Sequence, residues 1–218
     1  MIENPESTMH DVVAAKKRLR RSACTAIRGI APSARADFDN EIEACVRRTP
    51  AFQAARQLIG YWALADEVPV FGLLRAGFEE GKSVLLPIVT EGSELKFGLW
   101  QPGGSLELGP HALRQPREPV ASLSAEPSLT LVPGRAFDAR GNRLGRGGGF
   151  YDRCLDNLSL LGAVVGVAYE AQLVESVPVE PHDRLLDAVV TERTIYVGDA
   201  WRLTDRIAAG FAKTKDEL

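Results

Sequence analysis

Between Gly141 and Gly149 the chain carries five glycines and two arginines, behind an apolar strand-like run and ahead of a helix-like run that begins at Tyr151. No other stretch limits the fold and its chemistry as tightly. Glycines let backbone N–H groups approach a ligand with no Cβ in the way, and they reach positive φ at no steric cost. A loop of this kind that ends at a helix N-terminus offers orphan N–H donors and a positive dipole end to an anion. Arg143 and Arg146 add guanidinium forks suited to phosphate or carboxylate oxygens. Asp152, one residue past the expected helix start, supplies a carboxylate for a metal that already bridges phosphates. The order strand, loop, helix therefore predicts a cradle for a polyphosphate and its ion. A plain glycine-rich hairpin or turn is the competing interpretation. The arginines within the loop and the Tyr151–Asp152 pair behind it weigh toward the cradle.

The loop is neither of the common phosphate motifs. GxxxxGK[ST] does not occur, and a GxGxxG starting at Gly145 meets Phe150 where its third glycine belongs.

Hydrophobic patterning places the loop in a layered fold. Residues 12–28 predict a helix ending near Gly29 and Pro32, and Ser33 is a candidate cap for a second helix over about 36–48. Leu58 to Leu64 is an apolar, aromatic strand candidate. Pro69 opens a helix through Glu80 that Gly81 closes. Strands are expected at 83–89, 95–100, 129–132, 163–168, 188–190 and 194–197, with a helix over 151–161. Residues 101–128 hold five prolines and three glycines and predict an irregular excursion. Strands alternating with helices indicate an α/β fold with a mainly parallel sheet. With no repeat and no linker, one domain over 12–200 is expected, with 1–11 and 204–218 as peripheral tails.

Composition removes several function classes. The net charge of −3 exerts no global pull toward nucleic acid or membranes. Three widely spaced cysteines without CxxC argue for a reducing compartment, against a disulfide framework and against a zinc site. No apolar run approaches the roughly 20 residues that span a bilayer. The acidic N-terminus lacks the features of a signal peptide, so the terminal KDEL is taken as coincidental and the protein as cytoplasmic.

Other constellations remain open on residue type alone. Lys16 to Arg21 carries five basic residues in six. It can be a solvated helix face, a weak nucleic-acid footprint, or a face that brings Lys16 and Arg20, four apart, to the phosphates of the glycine loop. Trp62 can be core or a ligand platform. Glu67, past a strand end, is either a solvated charge or an acceptor for an amino-pyrimidine type ring. Asp183 and Asp187 are surface carboxylates or a source of a second magnesium ligand to partner Asp152. His10, His111 and His182 have no ligand-spaced company, and Cys154 lacks a base and is expected to pack.

The segment PGRAFDARGNRLGRGGGFYDR resembles the signature of the 5-formyltetrahydrofolate cyclo-ligases, also called methenyltetrahydrofolate synthetases. The similarity runs from about Lys16 to Val190 and includes the K-x-x-x-R of the first helix, Asp66–Glu67, and QLVESVPVEPHDRLLDAVV. The resemblance implies a three-layer α/β/α fold like those of ribose-phosphate isomerases and CoA transferases. It implies ATP- and Mg²⁺-dependent conversion of 5-formyltetrahydrofolate, possibly polyglutamylated, to 5,10-methenyltetrahydrofolate, with no nucleic-acid or membrane partner and a monomer favoured. By the same resemblance, Lys16, Arg20, Arg143, Leu144, Gly145, Arg146, Gly147, Gly148, Gly149, Phe150 and Tyr151 would bind ATP. Trp62, Glu67, Arg146, Gly147, Gly148, Gly149 and Phe150 would contact the folate. Asp152 and Asp187 would bind Mg²⁺, and Arg146, Tyr151 and Asp152 would act in the chemistry. The chain departs from the family pattern at His111, where an aromatic residue usually stands. A non-catalytic folate- or nucleotide-binding relative and an RNA-binding module are the competing function classes.

Overall fold

Short apolar runs, buried along nearly their whole length, make the centre of the molecule. In the computed structural model, which describes residues 5–90, 95–110, 113–180 and 183–199, seven strands form one sheet. They are β1 (Gln57–Ile59), β2 (Ser83–Val89), β3 (Leu95–Leu99), β6 (Ser128–Val132), β9 (Gly162–Val167), β11 (Ala188–Val190) and β12 (Ile195–Val197). Their order is β12-β11-β9-β6-β1-β2-β3. β2, β1, β6, β9 and β11 run parallel, while β3 and β12 close the two edges antiparallel.

Alternation along the strands sorts side chains to two faces. Leu58, Val84, Leu86, Leu129, Leu131, Val165 and Val190 meet Ile27, Ile42, Val46, Phe52, Leu73 and Leu74. These last come from the helices α1 (Pro5–Arg28), α2 (Pro32–Arg48), α3 (Pro50–Ala54) and α4 (Phe71–Glu79). On the other face Ile59, Leu85, Val132, Val164 and Val189 meet Phe137, Leu155 and Leu158, the last two from α5 (Leu155–Ser159). The result is the expected three-layer α/β arrangement.

Several boundaries differ from the sequence expectation, each for a physical reason. α2 starts at Pro32 rather than after Ser33, because Pro suits the first helical turn. β1 ends at Ile59, not Leu64. The rest of that apolar run leaves the sheet and turns into the core, where the Tyr61 hydroxyl donates to Val68 O. Helix α5 is only five residues long. The Tyr151 carbonyl accepts from the N–H groups of Cys154 and Leu155, but Asp152 is drawn sideways to Arg143, and continuous helix begins four residues past Tyr151. Within 101–128, β4 (Glu107–Leu108) and β5 (Arg114–Gln115) pair as a short ribbon. The segment from Pro116 then runs along the outer edge of β3, with Val120 N–H donating to Phe97 O and Gly98 packed against Pro116 and Glu118. His111, His182 and the chain beyond 199 lie outside the described residues.

The largest surprise is a hairpin where a loop was expected. β7 (Ala136–Asp138) and β8 (Arg143–Leu144) pair antiparallel, and β10 (Leu173–Val174) adds to β7 in parallel. Asp138 makes this turn. Its fully buried carboxylate accepts from the N–H groups of Arg140, Asn142 and Val177 and from the Asn142 side-chain amide. Asp138→Ala orphans these buried donors, and unfolding should become easier by about 3 kcal/mol or more. Urea denaturation of the variant measures this, and a midpoint equal to wild type would remove Asp138 from the structural role.

Candidate active site

The chain passes from β1 to β2 on one side of the sheet and from β6 to β9 on the other. β1 and β6 are neighbours, so the strand order reverses between them, and open α/β sheets bind ligands in the crevice beyond such a point. A cavity of about 1000 Å³ opens there. The loop after β1 lines it with Tyr61, Trp62, Leu64, Asp66 and Glu67, and the loop after β6 with Pro133 and Gly134. The glycine loop supplies Arg143, Gly145, Arg146, Gly148, Gly149, Phe150, Tyr151 and Asp152.

Two glycines show why the loop needs its composition. Gly147 has φ +112° and Gly149 φ +64°, values that L side chains rarely adopt. From the end of β8 to the turn at Tyr151 the loop belongs to no strand, so its amides are not spent on a sheet. The helix-dipole contribution expected at Tyr151 is absent, since the helix begins at Leu155 and is too short for one. What the loop offers to an anion is therefore its amides and the cations around it.

Those cations are each placed by a partner. Arg20, on α1, donates from Nε to Gly145 O at 2.9 Å and lies beside Gly147. Arg143 is buried, donating to Pro133 O and to Asp152 at 2.5 Å, with its guanidinium over the Tyr151 ring. Arg146 reaches across the cavity to the opposite wall. It donates from Nε to Glu67 at 2.9 Å and from Nη2 to Asp66. Arg135 donates to the same Asp66 carboxylate. Burial works against the Asp66 charge, but Arg135 and Arg146 outweigh it and hold the carboxyl below its ordinary range. Glu67 also accepts from Leu64 N–H at 2.9 Å, so both of its oxygens are fixed.

Burial pushes the Tyr151 hydroxyl well above its ordinary range, and the Cys154 and Glu67 charges add to this, so it is a neutral donor. Burial likewise raises the Cys154 thiol to about 11, and its Sγ lies 3.3 Å from Tyr151 O, as a packing residue should. Trp62 lines the cavity with its ring edge-on to Phe71, 6.3 Å between centroids, and so serves both as wall and as packing. Phe150 lies at the glycine-loop end of the cavity, close to Gly148.

Of the expected site residues, Arg20 and Gly147 lie beside the cavity lining without joining it, and Leu144, Lys16 and Asp187 are engaged elsewhere. Leu144 is buried with Ala23, Ala136 and Val177, fastening the hairpin to α1. Lys16 is buried, one turn before Arg20, and donates to Glu180 and Asp183 at 2.6 Å each. Burial lowers its pKa, but the bonds to Asp183 and Glu180 outweigh that and leave the ammonium firmly charged. Asp187 precedes β11, beside the hairpin tip where Leu186 N–H meets Gly141 O, and its carboxylate accepts from Val164 N–H at 2.7 Å. The structure gathers Asp152, Arg143, Arg146 and Glu67 at one cavity and leaves Asp187 outside its lining. Tyr61 lines the cavity and Arg135 anchors Asp66 from outside the lining, two placements that the sequence reading does not contain. Asp66 adjoins Glu67 past a strand end, which was its one available signal.

A family model described as the 5-formyltetrahydrofolate cyclo-ligase family matches residues 12–192. The chain belongs to this family. It is 33% identical to the 5-formyltetrahydrofolate cyclo-ligase of Mycolicibacterium smegmatis over 147 residues, covering 64% of this chain and 75% of that one. To the Escherichia coli K12 cyclo-ligase it is 29% identical over 174 residues, covering 78% and 96%. The NMR structure of Aquifex aeolicus 5,10-methenyltetrahydrofolate synthetase superposes with a TM-score of 0.73 at 28% identity, covering 84% of this chain and 92% of that one. In this member of the family, the segment from Pro133 to Arg153 forms hairpin β7–β8, the glycine loop and the turn at Tyr151. Among the described residues no helix is long and apolar enough to cross a membrane.

Proposed function

We propose that the chain catalyses the ATP-dependent cyclisation of 5-formyltetrahydrofolate to 5,10-methenyltetrahydrofolate, releasing ADP and phosphate. Supporting this is one arrangement above others: a glycine loop bearing Arg143 and Arg146 faces Trp62 and Glu67 across a single cavity. One wall suits a triphosphate and the other an aromatic ring with amino groups, and about 1000 Å³ lies at the upper end of small-molecule sites. The glycine-loop amides from Gly145 to Gly149, with Arg20, Arg143 and Arg146, hold the phosphates. Trp62, Glu67 and Phe150 bound the folate.

The reaction must turn a formyl oxygen into a leaving group. The formyl oxygen accepts the γ-phosphoryl group, which leaves an iminium-like carbon bearing phosphate. The neighbouring substrate amine attacks that carbon, the five-membered ring closes, and phosphate departs with the former formyl oxygen. Such chemistry needs positioning and charge neutralisation rather than a protein nucleophile. The cavity lining fits: it supplies guanidinium groups and a neutral Tyr151 hydroxyl, and its neighbour Cys154 is an unreactive thiol.

Magnesium also fits the donor set. Mg²⁺ binds through one or two carboxylates together with substrate phosphates and water. Asp152 lines the cavity next to the glycine loop, accepts from Arg143, and would serve as that carboxylate. The ion would supply charge neutralisation to the phosphates. The test is direct: purified protein with ATP, Mg²⁺ and 5-formyltetrahydrofolate should form the methenyl product, followed by its absorbance. Folate binding by calorimetry without turnover would instead identify a sequestering relative.

Lys16 is assigned to the phosphates by way of an exchange, leaving Glu180 and Asp183 for nucleotide. Lys16→Ala should raise the apparent KM for ATP more than that for folate. It should also cost about 2 kcal/mol of stability, because two part-buried carboxylates lose their cation. A rise confined to the folate KM would remove Lys16 from the phosphate site.

A further inference from the structure

Arg146 and Glu67 have separate tasks in the proposed reaction, yet each now occupies the other. Arg146 Nε donates to Glu67 Oε1 at 2.9 Å across the cavity, between the nucleotide wall and the folate wall. The Glu67 side chain is 7% exposed and that of Arg146 38%, so the carboxylate is the shielded partner and water reaches the pair from the arginine side. We propose that this ion pair couples the two ligands, so that each binds more tightly when the other is present. The inference rests on the cyclo-ligase reading above, because it takes Arg146 to phosphate and Glu67 to the amino-bearing ring.

The argument is one of charge conservation. A nucleotide binding alone draws Arg146 toward its phosphates and leaves Glu67 with only the Leu64 N–H in a nearly closed wall. A folate binding alone takes Glu67 and leaves Arg146 Nε without its acceptor. Breaking the pair is costly mainly at Glu67, whose shielded charge is then left to a single backbone donor. With both ligands present, each group exchanges one partner for another and neither is orphaned. The pair is broken once rather than twice, and the saving appears as positive coupling, equal in both directions. Asp66 keeps Arg146 from swinging away during the exchange, since its carboxylate stays anchored by Arg135.

The experiment is titration calorimetry of the wild-type protein with a non-hydrolysable ATP analogue and Mg²⁺, with and without saturating 5-formyltetrahydrofolate. The nucleotide Kd should fall by about tenfold or more when folate is bound, within the usual range for coupled sites. Glu67→Gln removes the charge of the pair but keeps an oxygen acceptor. In this variant the nucleotide alone should bind tighter than to wild type, while folate binds more weakly and coupling falls toward one. A residue with a merely structural part in the wall would not tighten nucleotide when replaced. If both ligands bind wild-type protein with independent affinities, the coupling is wrong while the proposed activity stands. If folate does not bind at all, the proposed activity falls and takes the coupling with it.

Discussion

Arg146→Ala is expected to lower turnover by roughly 10²-fold or more, the size seen when a donor to developing transition-state charge is lost. Two features of the site make this a test of chemistry rather than of folding. The Arg146 side chain is 38% exposed, and both carboxylates it leaves behind keep another partner, Asp66 with Arg135 and Glu67 with Leu64 N–H. The melting temperature should therefore fall only modestly, through the lost ion pair of Glu67, while methenyl formation collapses. Arg146→Lys separates charge from shape. A lysine restores one cation but not a fork that spans two walls, so it should recover only part of the rate. Near-wild-type kinetics in the alanine variant would take Arg146 out of the reacting centre.

Asp152 gives the second large effect, with a different signature. Asp152→Ala should also reduce turnover by roughly 10²-fold or more, and it should cost stability as well. Arg143 is 8% exposed, and its Nε already has no hydrogen-bond partner among the described residues. Without Asp152 the guanidinium keeps only the Pro133 carbonyl. A buried cation stripped of its carboxylate typically costs about 3 kcal/mol. Asp152→Asn is the informative companion, because the amide oxygen can still accept from Arg143 while the charge is gone. It should retain most of the stability, lose most of the rate, and need more Mg²⁺ to reach half-maximal activity. An asparagine variant with unchanged Mg²⁺ dependence would remove Asp152 as the ion's carboxylate.

Much of the architecture was legible because burial writes itself into local patterns. The runs at 83–89 and 128–132 are short, apolar and bounded by glycine, proline or charge, and both became sheet strands. The glycine loop was legible for the same reason, since few other sequences need positive φ twice in three residues. What escaped was long-range. Lys16 and Arg20 share a helix face, but Lys16 meets carboxylates 164 and 167 positions away, which no spacing rule reaches. The apolar character of Tyr61 to Leu64 predicts strand, yet it marks a chain turning into the core beside the cavity. Hairpin and glycine loop stand as alternatives in the sequence, whereas the structure has both in succession, the hairpin turn being marked by Asp138, two and four residues before the Arg140 and Asn142 amides. Tertiary attraction of Asp152 to Arg143 likewise overrode the helical pattern that begins at Tyr151.

The strap along β3 bears on how this protein keeps to itself. An open sheet border is a template on which a foreign strand can crystallise hydrogen bond by hydrogen bond. Here Val120 already occupies the Phe97 carbonyl, and Pro116 and Pro119 contribute no amide hydrogen to the outward side. An intruding polypeptide would have to peel the strap away before it could join, and the opposite border, only three residues of β12, gives it little to hold.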